Sequence, residues 1–207
     1  MIKSVIFDID GVLLDSFEAN AKFNSDLVTK FGYNPPTQEQ ILDLFHRSMK
    51  DVIKILTRAN DEEVERIWRA GKEGEVPYHY ELLTTPEGLK ETIKILSRDY
   101  VLGIVTSRIT ESVYSISQLA ELEQYFKVVV AFQDTENHKP HPEPLLLASK
   151  KLGILPEECV YIGDVENDAI AARSAGMKCI VYSKNKVDHA DANITSFQNL
   201  IEIIKSL

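Results

Sequence analysis

Residues 5–12, VIFDIDGV, form an apolar strand that runs directly into Asp8 and Asp10, with Gly11 immediately after. Side chains at i and i+2 of a strand point to the same face, so both carboxylates are expected at one place. Two acids so close repel each other unless a cation or a proton holds them. The stretch therefore indicates a magnesium-assisted site in which one carboxylate attacks and the other moves protons, with a capped, solvated turn as the alternative.

Later segments also place polar residues at the ends of apolar strands. VLGIV at 101–105 ends in hydroxyl residues followed by an arginine, VYI at 160–162 ends in Gly-Asp, and HKP at 138–140 carries a lysine in a proline-containing loop. The polar residues are Thr106, Ser107, Arg108, Lys139, Asp164 and Asp168. The carboxyl ends of parallel strands meet at one edge of a sheet, so we expect these residues to converge.

These segments, taken in order, make the chain resemble the haloacid dehalogenase superfamily of phosphohydrolases over nearly its whole length. The resemblance implies an α/β fold: a Rossmann-like, doubly wound parallel sheet core with an inserted all-helical cap domain. It assigns residues 1–16 and 84–207 to the core and 17–83 to the cap.

The resemblance also implies catalytic roles. Asp8 would be the nucleophile that carries a transient aspartyl-phosphate, and Asp10 would protonate the leaving oxygen and then activate water. Thr106 would donate a hydrogen bond to a phosphate oxygen. Lys139 would neutralise charge on the nucleophile and on the phosphoryl oxygens.

Mg²⁺ is the cofactor that the resemblance implies, and it prefers hard oxygen ligands. The expected ligands are Asp8, the main-chain carbonyl of Asp10, and Asp164. Asp168 is expected either as a ligand or as an acid just behind the ligands. An acid in the first turn of a helix is also favoured by the helix dipole, and Asp168 fits that description equally well.

Basic and hydroxyl residues near these segments are candidates for substrate binding. Arg108 is placed to contact an anion, while Ser107 either donates its backbone N–H to phosphate or caps a helix. His46, Arg47 and Lys50 lie between two predicted cap helices, where they could hold a substrate carboxylate or a second phosphate. A solvated loop is the alternative for those three.

Short β-branched runs separated by helical segments predict the parallel sheet, and helical periodicity alone predicts the insert. The predicted strands are 3–8, 100–106, 128–132, 160–163 and 178–182. The predicted core helices are 87–97, 109–120, 143–152, 167–175 and 197–206. The predicted cap helices are 19–31, 37–45, 50–59 and 62–72.

Composition limits the classes of partner. The 207 residues carry a net charge of −9 with no long basic run, which argues against general binding to nucleic acid or to an anionic membrane. No apolar run has membrane length, so we expect a cytoplasmic protein. We expect a monomer, with a dimer left open. Cys159 and Cys179 are expected to be reduced core residues.

The leading functional expectation is a magnesium-dependent phosphatase of a small phosphorylated metabolite, closest to phosphoglycolate phosphatases. An inorganic pyrophosphatase and a sugar-phosphate phosphatase of the same family are the alternatives. A β-phosphoglucomutase fits less well, because such mutases carry a cap-loop arginine near 48–51, where this chain has Met49 and Lys50. A catalytically silent binding or regulatory protein on the same fold is the alternative from another class.

Overall fold

The computed structural model describes residues 1–44 and 47–207. By their internal contacts these residues form two compact units: unit 1 is Met1–Asp15 with Thr85–Leu207, and unit 2 is Ser16–Thr84. Phe45, which ends a predicted helix, and His46, a predicted substrate contact, lie outside the described residues. The proposed action of the insert as a cap stays a prediction.

Unit 2 is helical wherever it has regular structure within its described part. Its amphipathic helices bury a small core of its own, which includes Leu27, Ile53 and Ile67. Asn60 caps one helix by accepting the Glu63 N–H at 2.9 Å. The helices are α1 (Phe17–Lys30), α2 (Gln38–Leu44), α3 (Met49–Thr57) and α4 (Asp61–Lys72), followed by a 3-10 turn at Tyr80–Leu82.

Unit 1 is built on a parallel sheet of six strands in the order β3-β2-β1-β4-β5-β6. This order places β1 in the middle, where Ser4 pairs with Val101 on one side and with Cys159 on the other. The predicted α/β class with a doubly wound parallel sheet is confirmed. The strands are β1 (Ser4–Phe7), β2 (Val101–Val105), β3 (Phe126–Val130), β4 (Cys159–Gly163), β5 (Lys178–Tyr182) and β6 (Ala192–Ile194).

Helices cover both faces of this sheet, which explains why β1 is buried at every position, including Ser4. Ile6 belongs to the core cluster that also holds residues of the helices at Glu143–Leu152 and Glu166–Ala175. Phe7 points to the other face, where its ring stacks on Phe197 with centroids 6.3 Å apart. The helices of unit 1 are α5 (Leu89–Asp99), α6 (Ser117–Ala120), α7 (Glu143–Leu152), α8 (Glu166–Ala175) and α9 (Leu200–Ser206).

Two predictions about unit 1 were wrong. The single helix expected at 109–120 is a 3-10 turn at Thr110–Ser112 followed, after an interruption, by the short α6. The Ser112 hydroxyl donates to the Ile109 carbonyl at 2.9 Å, a local bond of the kind that competes with helix formation. The sixth strand, β6, was not predicted, because three residues at a sheet edge give almost no periodic signal.

The two cysteines are free and buried, as expected. Within residues 1–44 and 47–207, no helix combines the length and the apolar character that a membrane span requires.

Candidate active site

The candidate site lies in unit 1, at the carboxyl ends of its central strands. Asp8 directly follows β1, and its backbone N–H donates to the Ile162 carbonyl of β4 at 2.9 Å. Thr106 directly follows β2, and its N–H donates to the Val130 carbonyl of β3 at 3.0 Å. These bonds extend the sheet by one residue past each strand, so the first polar side chains are held by a rigid scaffold.

Lys139 connects two of the acids at this edge. Its ammonium lies 2.5 Å from Oδ2 of Asp8 and 2.8 Å from Oδ1 of Asp168, and it donates to the Tyr161 hydroxyl at 2.9 Å. The lysine side chain is only 8% exposed. An ammonium has three N–H donors, so these three acceptors use all of them. In this arrangement Lys139 fixes the positions of the two carboxylates that it binds.

Tyr161 is a member of the site that sequence reasoning missed. It is fully buried on β4 and donates its own hydroxyl proton to the Val105 carbonyl at 3.2 Å, while it accepts from Lys139. The only signal in the sequence was a phenol two residues before Gly163 in an apolar strand. A buried phenol needs a hydrogen-bond partner, and that requirement could have pointed to a polar neighbour.

Three carboxylates meet beside this lysine. Asp8, Asp164 and Asp168 each offer an oxygen atom, and these atoms all lie within 4.8 Å of one another. Asp168, at the start of α8, also accepts the N–H groups of Asp164 at 3.0 Å and of Val165 at 3.3 Å. It therefore stabilises the first turn of the helix and faces the acidic cluster at the same time.

Two glycines allow the acids to lie against the backbone. A Cβ at Gly11 would overlap the Asp164 carboxylate, and a Cβ at Gly163 would overlap the Asp168 side chain. Gly11 also has a φ of 77°, in the region that favours glycine. The glycine after Asp10 thus makes room for an acid from a distant strand.

Burial raises the pKa of two of these acids. For Asp8 the pKa rises to about 7, mainly from loss of solvent, with Lys139 opposing the rise and Asp168 and Asp10 adding to it. For Asp164 burial again comes first, and the charges of Asp168 and Asp8 raise the pKa further. One ammonium is thus too little positive charge for three neighbouring carboxylates.

That excess of negative charge fits a divalent cation. Carboxylate oxygens are the ligands that Mg²⁺ prefers, and the cluster offers them from two strand ends and a helix start. Asp8 and Asp164 suit direct contact, while the oxygens of Asp168 already bind Lys139 and two backbone N–H groups. The predicted use of the Asp10 main-chain carbonyl as a ligand stays a prediction.

The Asp10 side chain has a different partner. The Arg108 guanidinium binds it through two bonds, from Nε to Oδ2 at 2.8 Å and from Nη2 to Oδ1 at 2.7 Å. Arg108 is 12% exposed and Asp10 28% exposed at the side chain, so the pair is largely shielded from water. The sequence suggested Arg108 as an anion contact but did not identify Asp10 as the anion. Its contact with substrate stays a prediction.

Thr106, Ser107 and Lys139 line the same small cavity, of about 10 Å³. Thr106 is buried, and its hydroxyl oxygen accepts the backbone N–H of Arg108 at 3.2 Å. A hydroxyl that accepts one bond keeps its own proton for donation, which suits a phosphate oxygen. Ser107 is exposed. The predicted contact of each residue with phosphate stays a prediction. The alternative of Ser107 as a helix cap was wrong, because the helical turn that follows β2 has Ile109 as its N-cap.

The two described cationic candidates of unit 2 are both exposed. Lys50 lies 2.6 Å from Oε2 of Glu65 and 4.2 Å above the centre of the Trp68 ring, so its charge already has partners within unit 2. The backbone N–H of Arg47 donates to the Leu44 carbonyl at 3.0 Å. The proposed contact of Arg47 and Lys50 with substrate stays a prediction.

Comparison with known proteins places this geometry in a family. Residues 5–182 match the family described as haloacid dehalogenase-like hydrolase. The chain belongs to this family. The expectation of a haloacid dehalogenase superfamily hydrolase is thereby confirmed.

Among relatives of this haloacid dehalogenase-like hydrolase, pyrophosphatase PpaX of Bacillus cereus (strain B4264) is 32% identical over 183 residues, covering 88% of this chain and 83% of the relative. A solved superfamily hydrolase of subfamily IA, variant 1, from Geobacter sulfurreducens is 30% identical with a TM-score of 0.75, covering 98% and 96% of the two chains. A Lactobacillus plantarum structure, provisionally named a phosphoglycolate phosphatase, is 22% identical with a TM-score of 0.87, covering 98% and 99%, and supports the fold alone.

Proposed function

We propose that this hydrolase is a magnesium-dependent phosphohydrolase that transfers a phosphoryl group first to Asp8 and then to water. The observation that carries the proposal is the environment of the Asp8 carboxylate. It is buried beside Lys139, Asp164 and Asp168, in a cluster that needs a further cation to balance its charge. A buried carboxylate held by donors, at the edge of the sheet where ligands bind, has the properties of a nucleophile.

Both oxygens of Asp8 are oriented by donors. Oδ2 accepts from Lys139, and Oδ1 accepts the N–H of Ile9 at 2.7 Å. These bonds favour the ionised carboxylate and limit its rotation, so one lone pair can be directed at phosphorus. When bound, Mg²⁺ supplies positive charge that reduces repulsion between the anionic nucleophile and the anionic phosphoryl group.

The reaction then needs one proton carrier. In the first step a bond forms between Asp8 and phosphorus, the bond to the leaving oxygen breaks, and Asp10 gives that oxygen a proton. In the second step Asp10 takes a proton from a water molecule while the oxygen of that water attacks phosphorus. The bond between phosphorus and Asp8 breaks, which releases phosphate and restores Asp8. A proton that Asp10 gives in one step and recovers in the next leaves the enzyme unchanged.

We propose inorganic pyrophosphate as the first substrate to test and 2-phosphoglycolate as the second. The order predicted from the motifs alone is reversed here, because two curated relatives at 32% identity are named pyrophosphatase PpaX. Both compounds carry an anionic leaving group, and both demand the same nucleophile and proton carrier.

The deciding experiment measures phosphate release from pyrophosphate, 2-phosphoglycolate, sugar phosphates and phenyl phosphate, with Mg²⁺ and with EDTA. The variants are Asp8→Asn and, as a matched control, Asp99→Asn at the end of α5, where the side chain is exposed. We expect release that needs Mg²⁺, disappears in Asp8→Asn and persists in Asp99→Asn.

Release that survives in Asp8→Asn would refute an Asp8 nucleophile. No release from any compound by the folded wild-type protein would favour the catalytically silent alternative.

A further inference from the structure

The pairing of Arg108 with Asp10 raises a question about the order of contacts during turnover. Asp10 is the proposed proton carrier, yet both of its carboxylate oxygens accept from one guanidinium at 2.7 and 2.8 Å. Two parallel charge-assisted bonds of this kind are among the stronger polar contacts in proteins. The oxygen of a leaving group therefore has to compete with Arg108 for Asp10.

The backbone of Arg108 is held on both sides of its side chain. Its N–H donates to the Thr106 hydroxyl at 3.2 Å, and its carbonyl accepts the N–H of Phe132 at 2.8 Å. These bonds anchor the residue beside Thr106, at the sheet edge where the phosphoryl group is expected. Only the side chain of Arg108 is left to change partners, and its length allows that change without movement of the strand.

The Arg108–Asp10 pair is also near the nucleophile. Asp10 follows Asp8 by two residues, just past the end of β1, so its carboxylate and the guanidinium that binds it lie at the same sheet edge as Asp8. A leaving group attached to phosphorus at Asp8 would therefore be presented to this pair. A guanidinium cannot lose its charge at ordinary pH, so it will leave one anion readily only for another.

We propose that Arg108 determines substrate specificity by exchanging Asp10 for an anionic group on the substrate's leaving group. The inference rests on the proposed function and adds a substrate class to it. Substrates whose leaving group carries its own anion, such as diphosphates and phosphorylated carboxylic acids, bind Arg108. The released Asp10 can then take a proton from solvent and give it to the bridging oxygen. An ester with an uncharged leaving group offers Arg108 no new partner and meets an occupied Asp10.

The test is the ratio of kcat/KM for pyrophosphate to kcat/KM for phenyl phosphate, both with Mg²⁺. The proteins are wild type, Arg108→Gln, Arg108→Lys and a control, Arg98→Gln, which changes an exposed arginine of α5. We expect the ratio to fall about tenfold or more in Arg108→Gln, because a site built to bind a charged group loses that discrimination with its donor. Arg108→Lys keeps the charge but lacks the two parallel donors of the guanidinium, so we expect a smaller fall of the ratio. In Arg98→Gln we expect no change of the ratio.

The ratio separates specificity from a merely structural role. Phosphate is a better leaving group than phenolate, so a variant that only disturbs Asp10 slows phenyl phosphate more and raises the ratio. A raised or unchanged ratio in both folded Arg108 variants would overturn the inference. So would a wild-type protein that cleaves phenyl phosphate at least as well as pyrophosphate. A wild-type protein that cleaves neither compound, nor any other phosphoester, would instead overturn the proposed function.

Discussion

The backbone of Gly11 lies directly against the carboxylate of Asp164, so a Cβ at residue 11 would overlap Oδ2 and Cγ of that acid. The loop after β1 and the end of β4 are thus packed together with no side chain between them. The orientation of Asp164 therefore depends on the absence of a side chain at Gly11, which lies far away in sequence.

Gly11→Ala should therefore weaken the proposed metal site. The new methyl group displaces the Asp164 carboxylate, and the left-handed φ of 77° adds a strain of about 1–2 kcal/mol. We expect the Mg²⁺ concentration that gives half-maximal phosphate release to rise about tenfold or more. A magnesium titration of initial rates measures this.

Gly153→Ala is the matched control for Gly11→Ala. Gly153 ends α7 with a φ of 67°, and a Cβ there would meet nothing within 4 Å. This variant carries the backbone strain without the collision, so its thermal unfolding midpoint should fall while its magnesium requirement stays constant. Equal magnesium requirements in the two variants would contradict the role given to the Gly11–Asp164 contact.

Lys139→Met should destabilise the protein and remove activity. The change takes away the ammonium that lies between Asp8 and Asp168, leaving buried carboxylates without their cation. Breaking one side of a buried ion pair costs about 3 kcal/mol or more of the free energy of unfolding. Urea unfolding in EDTA measures that loss, and phosphate release should fall at least about 100-fold.

Lys178→Met provides the comparison for Lys139→Met. Lys178 pairs with Asp191 at 2.8 Å but is 47% exposed, and such surface pairs contribute about 0–1 kcal/mol. A loss of stability as small in Lys139→Met as in Lys178→Met would show that the cluster does not depend on its lysine.

Tyr161→Phe should act through Lys139. The change removes the hydroxyl that accepts the third N–H of the Lys139 ammonium and donates to the Val105 carbonyl. The ammonium and the carbonyl are both buried and would each lose a partner. Unsatisfied buried polar groups cost about 1–3 kcal/mol, so we expect a lower free energy of unfolding together with a lower kcat. Tyr100→Phe, at the residue that follows α5, is the control. Unchanged kcat in Tyr161→Phe would mean that the position of Lys139 is set by the acids alone.

His79 should make the stability of the protein depend on pH. Its ring nitrogens lie 2.9 Å from Glu81 and 3.0 Å from Asp26, and these hydrogen bonds raise its pKa above the ordinary value of 6.5. Because the folded state binds the proton more tightly, the stabilisation is complete below that value and is lost as pH rises through the folded pKa.

The His79 prediction is checked by thermal unfolding of wild type and His79→Gln at pH values from just below 6.5 upward. The difference between their midpoints should be largest at acidic pH and should shrink as pH rises. His141→Gln, at an exposed position, is the control. A difference between wild type and His79→Gln that does not change with pH would contradict the prediction.

The sequence was sufficient to expect Asp8, Asp164 and Asp168 near one another, because the rule involved is topological. Parallel strands end at the same edge, so an acid placed just after a strand can be located without knowing its rotamer. Asp168 lies in the first turn of α8, as expected, and also faces Asp8 and Asp164. Its role as a metal ligand, or as an acid just behind the ligands, stays a prediction. Lys139 lies in a loop and not directly after a strand, so the strand rule locates it less closely, and its role was implied by the family resemblance.

Side-chain partners could not be predicted in the same way. Arg108 follows Thr106 in a loop, and nothing in the order of residues tells which anion its long side chain will meet. The buried spacing of Val113, Ile116 and Leu119 matched a helix at 109–120, but the Ser112 hydroxyl forms a local bond with the backbone instead. The prediction that these three side chains are buried is confirmed, and the prediction of one continuous helix was wrong.

The central position of β1 has a consequence for synthesis of the chain. Ser4 pairs with Val101 and with Cys159, so the strand that precedes Asp8 is made before either neighbour and gains the second only after residue 159 has been made. Unit 2 is one continuous segment, so its helices can pack together as soon as that segment has been made. Because non-local parallel pairing is slow and leaves strand edges exposed meanwhile, we expect β1 to be the strand most dependent on chaperones during synthesis.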